Sequence, residues 1–172
     1  MPETIPETLT DSNAFQSGAR KVIPAVLIYA RRGTRVLMIE KTEIWNGLGG
    51  KCEADESPLQ AARREFYEEA GVDLEESRFK PLGVLQFPNF KPARNEDWLV
   101  FVFQVDLPDG EVQPSCEEGI LHWIESSKLD QLPLWDGDKE FLPWVAQGRS
   151  FVGTFWYKNK KLARHWIAPF GA

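Results

Sequence analysis

An α/β domain with a mixed sheet between helices is the fold class this sequence predicts, on three observations. Short β-branched and aliphatic runs alternate with helical stretches in the order β-β-(β)-α-β-β-β-α-β-β. The chain has 172 residues, 42% of them hydrophobic, which suits one domain with a full core. No linker divides it, and no internal repeat of about 20 to 50 residues is present.

The elements follow in order. Residues 1–18 are rich in Pro, Thr, Glu and Ser without an apolar period and read as a flexible tail, leaving 19–172 as the domain. Lys21 to Tyr29 and Arg35 to Glu40 form a hairpin across Arg-Arg-Gly-Thr, with Pro24 marking a strand that starts at an edge or is locally irregular. The segment Thr42 to Gly50 carries an aromatic, an amide and three glycines and suits a binding loop. From the residues alone, Trp45 and Asn46 fit a ligand site and a core position followed by a left-handed turn equally well.

Next comes a helix with clear boundaries: Ser57 can cap it, Pro58 suits its first position and Gly71 its end. Within it Leu59, Ala62, Phe66 and Ala70 form an apolar stripe, while Glu65, Glu68 and Glu69 share a second face, expected to be exposed. Leu82 to Phe87 and Trp98 to Val105 are strands joined by a polar connection from Pro88 to Asp97. A loop over Asp106 to Glu118 precedes a short strand at Ile120 to Ile124. Ser126 to Leu132 and Lys139 to Gln147 read as short helices, and Phe151 to Tyr157 with Leu162 to Trp166 as a closing hairpin.

Three carboxylates on one helix face repel, by roughly a few tenths of a kcal/mol per pair. A hard divalent cation offsets that, because Mg²⁺ or Mn²⁺ takes carboxylate oxygens while keeping waters and binding substrate phosphates. A solvated Glu-rich helix is the better explanation of such spacing when it stands alone. Here it is preceded by Gly47, Gly49, Gly50 and Lys51, a backbone that approaches a ligand closely and a charge for phosphate.

Gly50, five residues, Glu56, seven residues, then Arg64-Glu65-Phe66-Tyr67-Glu68-Glu69-Ala70-Gly71-Val72 resembles the signature of the Nudix (MutT-like) hydrolases, G-x(5)-E-x(7)-R-E-U-x-E-E-x-G-U, where U is bulky and apolar. Every fixed position is filled, with aromatic Phe66 where an aliphatic residue is usual. A chance match has a probability on the order of one in ten million. The resemblance implies a Nudix-type α/β/α sandwich with a mixed β-sheet. It also implies a nucleotide substrate, a nucleoside diphosphate linked to another moiety. By the same resemblance Gly49, Glu65, Glu68 and Glu69 hold Mg²⁺, with Mn²⁺ as a substitute. Arg64 pairs with Glu56 to keep helix and loop in register, and Lys51 stabilises the departing phosphate. The general base implied is one of the signature glutamates or an acid on a later loop, a place that Glu118 fits best unless it is a surface carboxylate.

The likeness extends to the branch acting on 8-oxo-dGTP. Trp45-Asn46-Gly47-Leu48-Gly49-Gly50-Lys51 resembles its WNGxGGK, with Asn46 bonded to the base. Trp135-Asp136-Gly137-Asp138 resembles its tryptophan-and-acid segment, in which Trp135 stacks on the base and Asp138 reads its edge. Gly137 departs from the pair of adjacent acids found there. The expected reaction is hydrolysis of a modified purine triphosphate to monophosphate and pyrophosphate. Dihydroneopterin triphosphate, a pyrimidine triphosphate, a nucleotide-sugar, or nucleotide sensing without turnover are the alternatives.

Composition bounds the partners. A net charge of −6 disfavours a general nucleic-acid binder. Cys52 and Cys116 make neither a disulfide framework nor a zinc pattern. No basic start with an apolar h-region and no apolar run of about 18 residues occurs, which reads as a cytoplasmic protein off the membrane, monomer or homodimer.

Overall fold

The computed structural model of the chain describes residues 20–171, so the expected tail over 1–18 lies outside the described residues. The strands are β1 (Lys21–Arg32), β2 (Arg35–Glu40), β3 (Trp45–Asn46), β4 (Leu48–Lys51), β5 (Lys80–Lys91), β6 (Glu96–Asp106), β7 (Ser115–Cys116), β8 (Gly119–Glu125), β9 (Phe151–Lys158) and β10 (Lys161–Pro169). Among the described residues two α-helices, α1 (Pro58–Ala70) and α2 (Asp136–Ala146), complete the frame.

The strands form one sheet in the order β10-β9-β5-β6-β1-β2-β8-β7, with β3 on β2 and β4 on β1. β1 runs parallel to β6 and β5 parallel to β9, while the other pairs are antiparallel, so the sheet is mixed as expected. Period-two alternation along β1 sends Ala25 and Tyr29 to one face and Val26, Ile28 and Ala30 to the other. The first face packs under α2 with Phe141, Phe151 and Phe155; the second packs under α1 with Ala62, Phe66 and Phe79. The result is the α/β/α sandwich.

Local chemistry sets the ends of α1. Gln60 N–H donates to Ser57 Oγ at 3.2 Å and Ser57 N–H donates to Gln60 Oε1 at 2.9 Å, a reciprocal cap. Pro58 fills the first helical position and Gly71 closes the last turn at φ +74°. Aromatic Phe66 is accommodated edge-on to Phe79, with ring centroids 5.9 Å apart.

The structure differs from expectation at several points. Glu69 is not on an exposed face: it is 4% exposed, because β4 lies across the helix where solvent was expected. Pro24 sits inside a strand paired on both sides, and its carbonyl accepts Cys52 N–H at 3.0 Å where the β4 ladder ends, so its missing N–H interrupts nothing. β5 continues through Pro88 to Lys91 instead of turning after Phe87, and Ser126–Gln131 is a 3₁₀ segment. α2 begins at Asp136 rather than Lys139, placing Trp135 at its cap and Asp138 in its first turn. Among the described residues no helix is long and apolar enough to cross a membrane.

Candidate active site

The glycine segment is a strand rather than a loop. β4 pairs with β1 in the register Leu27↔Gly49, and Gly49 has φ +148°. A Cβ at Gly49 would overlap the Val26 carbonyl oxygen, so only glycine permits this approach. The close passage aims Gly49 N–H at α1, where it donates to Glu69 Oε2 at 2.9 Å.

Burial pushes the Glu69 carboxyl up to about 8, with the Gly49 hydrogen bond pulling the other way. Burial also raises Glu65, against the pull of Arg64. Arg64 is spent on the protein itself. Its Nε and Nη2 donate to the two oxygens of Glu56 at 2.8 Å each, Nη1 donates to Glu65 Oε1 at 2.9 Å, and Nη2 also donates to the Lys51 carbonyl at 3.1 Å. This fork ties α1 to the loop and strand before it.

Glu56→Gln should therefore lower thermal stability by about 1–3 kcal/mol, the range for a charged hydrogen-bond partner left incomplete. Arg64 holds the Glu56 carboxyl below its ordinary 4.5. Its contribution is thus complete above that pH and is lost on acidification. Thermal melts of wild type and variant at pH 7 and pH 3 check this, and the gap should close at the lower pH.

A cavity of about 720 Å³ lies between α1 and the loop before β8, and Glu65, Glu68, Glu69, Glu117 and Glu118 face Lys41 and Lys51 across it. Glu118 Oε2 accepts from Lys41 Nζ at 3.0 Å, while Lys51 Nζ stands 5.3 Å over the Trp98 ring. Among the described residues no three acidic, His or Cys groups already converge as metal ligands. Glu65 turns to Arg64, Glu68 lies 3.5 Å from Arg64 Nη1, and Glu69 takes the Gly49 N–H. The donor chemistry nonetheless fits a hard cation. Burial keeps a proton on Glu69 up to about pH 8, and a hard cation that displaced it would meet carboxylate oxygens of Glu69 and Glu65 whose charge the protein itself compensates only in part.

A second cavity, of about 250 Å³, adjoins the first. Both include Lys41, Gly49, Gly50 and Trp98 in their walls. Of the residues expected to meet a base, Asn46, Trp135 and Asp138 line it. Trp45 does not. It packs, partly buried, against the core, with its ring 4.9 Å from that of His122, and its backbone N–H donates to the Pro133 carbonyl at 2.9 Å. Asp138 is 8% exposed, and burial pushes its carboxyl up to about 7. Tyr29 is fully buried beneath Gly47, and its hydroxyl finds no partner among the described residues.

Sequence reasoning missed Phe87, Phe90, Trp98 and Tyr157, which complete this cavity. Phe90 packs on Phe87, Trp98 and Tyr157 at centroid distances of 5.3, 5.5 and 6.1 Å. The aromatic residues around the β5–β6 connection were the available signal, hidden by reading that stretch as a polar turn. The glycine at 137 has a local cause. Trp135 offers α2 no side-chain cap, and Gly137 N–H donates instead to Tyr157 Oη at 2.7 Å. A Cβ there would stand 2.6 Å from that oxygen.

Comparison with known proteins agrees with this geometry. The sequence pattern of the NUDIX domain matches residues 20–145. The chain is 31% identical over 128 residues to the Uncharacterized Nudix hydrolase YvcI of Bacillus subtilis, covering 72% of this chain and 79% of that protein. It is 31% identical over 115 residues to the Oxidized purine nucleoside triphosphate hydrolase of Danio rerio, covering 67% of this chain and 70% of that one. The crystal structure of a MutT protein from Bacillus halodurans superposes with a TM-score of 0.76 at 27% identity, covering 87% of this chain and 99% of that one. With the signature filled, its helix and glycine strand joined by Glu69 and Gly49, and these matches across most of the chain, the protein belongs to the Nudix family, as a MutT-like hydrolase of nucleotide-type substrates that acts on phosphorus-containing anhydrides.

Proposed function

We propose that the protein hydrolyses a nucleoside triphosphate bearing a modified purine, of the 8-oxo-dGTP type, to the monophosphate and pyrophosphate, with Mg²⁺ required and Mn²⁺ as a substitute. The observation that carries this reading is the adjacency of the two cavities. An aromatic cavity with one buried carboxyl shares a wall containing Gly49 and Gly50 with an acidic cavity that has two lysines. A base with its phosphates has this division into a flat apolar part and a polyanionic part. A relative named for oxidized purine nucleoside triphosphates supports the substrate class.

Glu65, Glu68 and Glu69, with the backbone of Gly49, would hold the cation. When bound, it would neutralise phosphate charge and make the attacking water more acidic. Lys51, which lines the acidic cavity, would meet the departing phosphate, and Arg64, bonded to Glu65 and to the Lys51 carbonyl, would hold both in position. Glu118, held at the cavity wall by Lys41, is the side chain assigned to accept the proton of the water. In the aromatic cavity Trp135 would stack on the base, while Asn46 and Asp138 would read its edge.

The test is a substrate panel with product analysis: oxidised and ordinary purine triphosphates, pyrimidine triphosphates, dihydroneopterin triphosphate and nucleotide-sugars. The expected result is Mg²⁺-dependent release of pyrophosphate, fastest with an oxidised purine. Release of orthophosphate, or preference for a nucleotide-sugar, overturns the reading.

A further inference from the structure

We propose that Tyr157 determines which bases the aromatic cavity accepts, by donating its hydroxyl proton to a hydrogen-bond acceptor on the base. The inference rests on reading that cavity as the base site. At the start of α2, as of any helix, the first N–H groups have no partner inside the helix. Gly137 N–H finds one in Tyr157 Oη at 2.7 Å, twenty residues along the chain on β9. A second tie holds the same turn, with Leu162 N–H donating to Asp136 Oδ2 at 3.3 Å.

A phenolic oxygen that accepts from a backbone N–H still carries its own proton. Among the described residues none accepts it. Tyr157 is half-buried and lines the cavity, so a ligand held there is the acceptor we assign to the hydroxyl proton. Burial pushes its pKa up to about 12, which keeps the proton in place at any ordinary pH. Its ring is held edge-on to Trp135 at 6.3 Å, with Phe90 at 6.1 Å on another side. The donor is thus fixed beside the surface proposed to stack on the base.

The fit leaves no slack at the helix. A Cβ at position 137 would come within 2.6 Å of Tyr157 Oη and 2.9 Å of Phe155 Cδ1. The bare Gly137 and the Tyr157 hydroxyl therefore form one unit, and the cavity presents a neutral donor there. A base is favoured when it turns a carbonyl oxygen or an unprotonated ring nitrogen to β9. A base showing an N–H at that point leaves two donors facing each other and is disfavoured.

The experiment is a binding cycle that needs no turnover. Non-hydrolysable α,β-methylene triphosphates of 8-oxoguanine, guanine, 7-deazaguanine and 2-aminopurine are titrated into wild type and into Tyr157→Phe. Across this set each candidate acceptor, at positions 8, 7 and 6 of the purine, is removed in turn. One removal should weaken binding to wild type about tenfold, the worth of one neutral hydrogen bond, and should cost Tyr157→Phe nothing. Gly137→Ala, which keeps the hydroxyl but displaces it, should lose the same discrimination, and it carries the test if Tyr157→Phe does not fold. Equal losses in wild type and variants for every analogue overturn the proposal, as does uniform weakening of all four ligands by Tyr157→Phe or a wild type that binds none of them. If these purine nucleotides bind with the expected coupling but none of the triphosphates is hydrolysed to pyrophosphate, the proposed reaction fails and the role of Tyr157 stands.

Discussion

Glu69→Gln should lower metal-dependent pyrophosphate release by several orders of magnitude and at the same time make the metal-free protein more stable at pH 8. The first effect follows from removing a hard anionic oxygen from the set assigned to the cation. The second follows from burial. The substituted amide keeps an oxygen for the Gly49 N–H while discarding a charge that, on Glu69, sits 4% exposed with one hydrogen bond. In wild type the folded carboxyl titrates at about 8 rather than the ordinary 4.5. Between those values the folded chain holds a proton that the unfolded chain releases, so the Glu69 contribution to metal-free stability is complete below about 4.5 and is lost as pH rises to about 8. Asp138, raised to about 7, and Glu65, raised by burial, act in the same direction.

Melts in chelator from pH 5 to 8 should therefore show a steeper decline for wild type than for Glu69→Gln. Added Mg²⁺ should restore wild type far more than the variant. Full activity in the variant, or a wild-type midpoint that rises over this range in chelator, would refute the account.

Gly49→Ala should be the most damaging single-carbon change in the site. The new methyl would enter the space of the Val26 carbonyl oxygen, which belongs to the central strand and has no rotamer to yield. Positive φ adds strain of about 1–2 kcal/mol. Together these place the loss at roughly 4 kcal/mol, or about 10 °C in the midpoint for a chain of this size. Activity should fall further than stability, since moving this peptide withdraws the N–H from Glu69. Gly33→Ala is the control: φ there is +60° but nothing lies within 4 Å of the added carbon, so it carries backbone strain without overlap. A midpoint for Gly49→Ala within about 2 °C of the control would show that the approach is less tight than described.

Local signals were legible in the sequence where the chain makes its own structure. Ser57, Pro58 and Gly71 bound α1 as read, and the Arg64 to Glu56 pair forms across eight residues of the same segment. What was hidden depends on partners distant along the chain. Nothing in Glu69 itself tells that β4 will cover it, since that depends on β4 pairing with β1. Trp135 and Asp138 could be singled out by resemblance, but their setting in the first turn of α2 is held by Tyr157 and Leu162 on the final hairpin. Trp45 fits two readings equally from its own segment, since its ring neighbour His122 lies seventy-seven residues along the chain.

The wall shared by the two cavities also measures length. Gly49 and Gly50 belong to a strand only four residues long, and its position is set by a backbone ladder on β1 and not by side-chain rotamers. On the proposed reading, a ligand seated in both chambers would be held at each end across a partition fixed by backbone hydrogen bonds. The distance from ring to first phosphorus would then be a quantity the fold itself selects, and a molecule with the right ends but the wrong span between them would be rejected by the backbone.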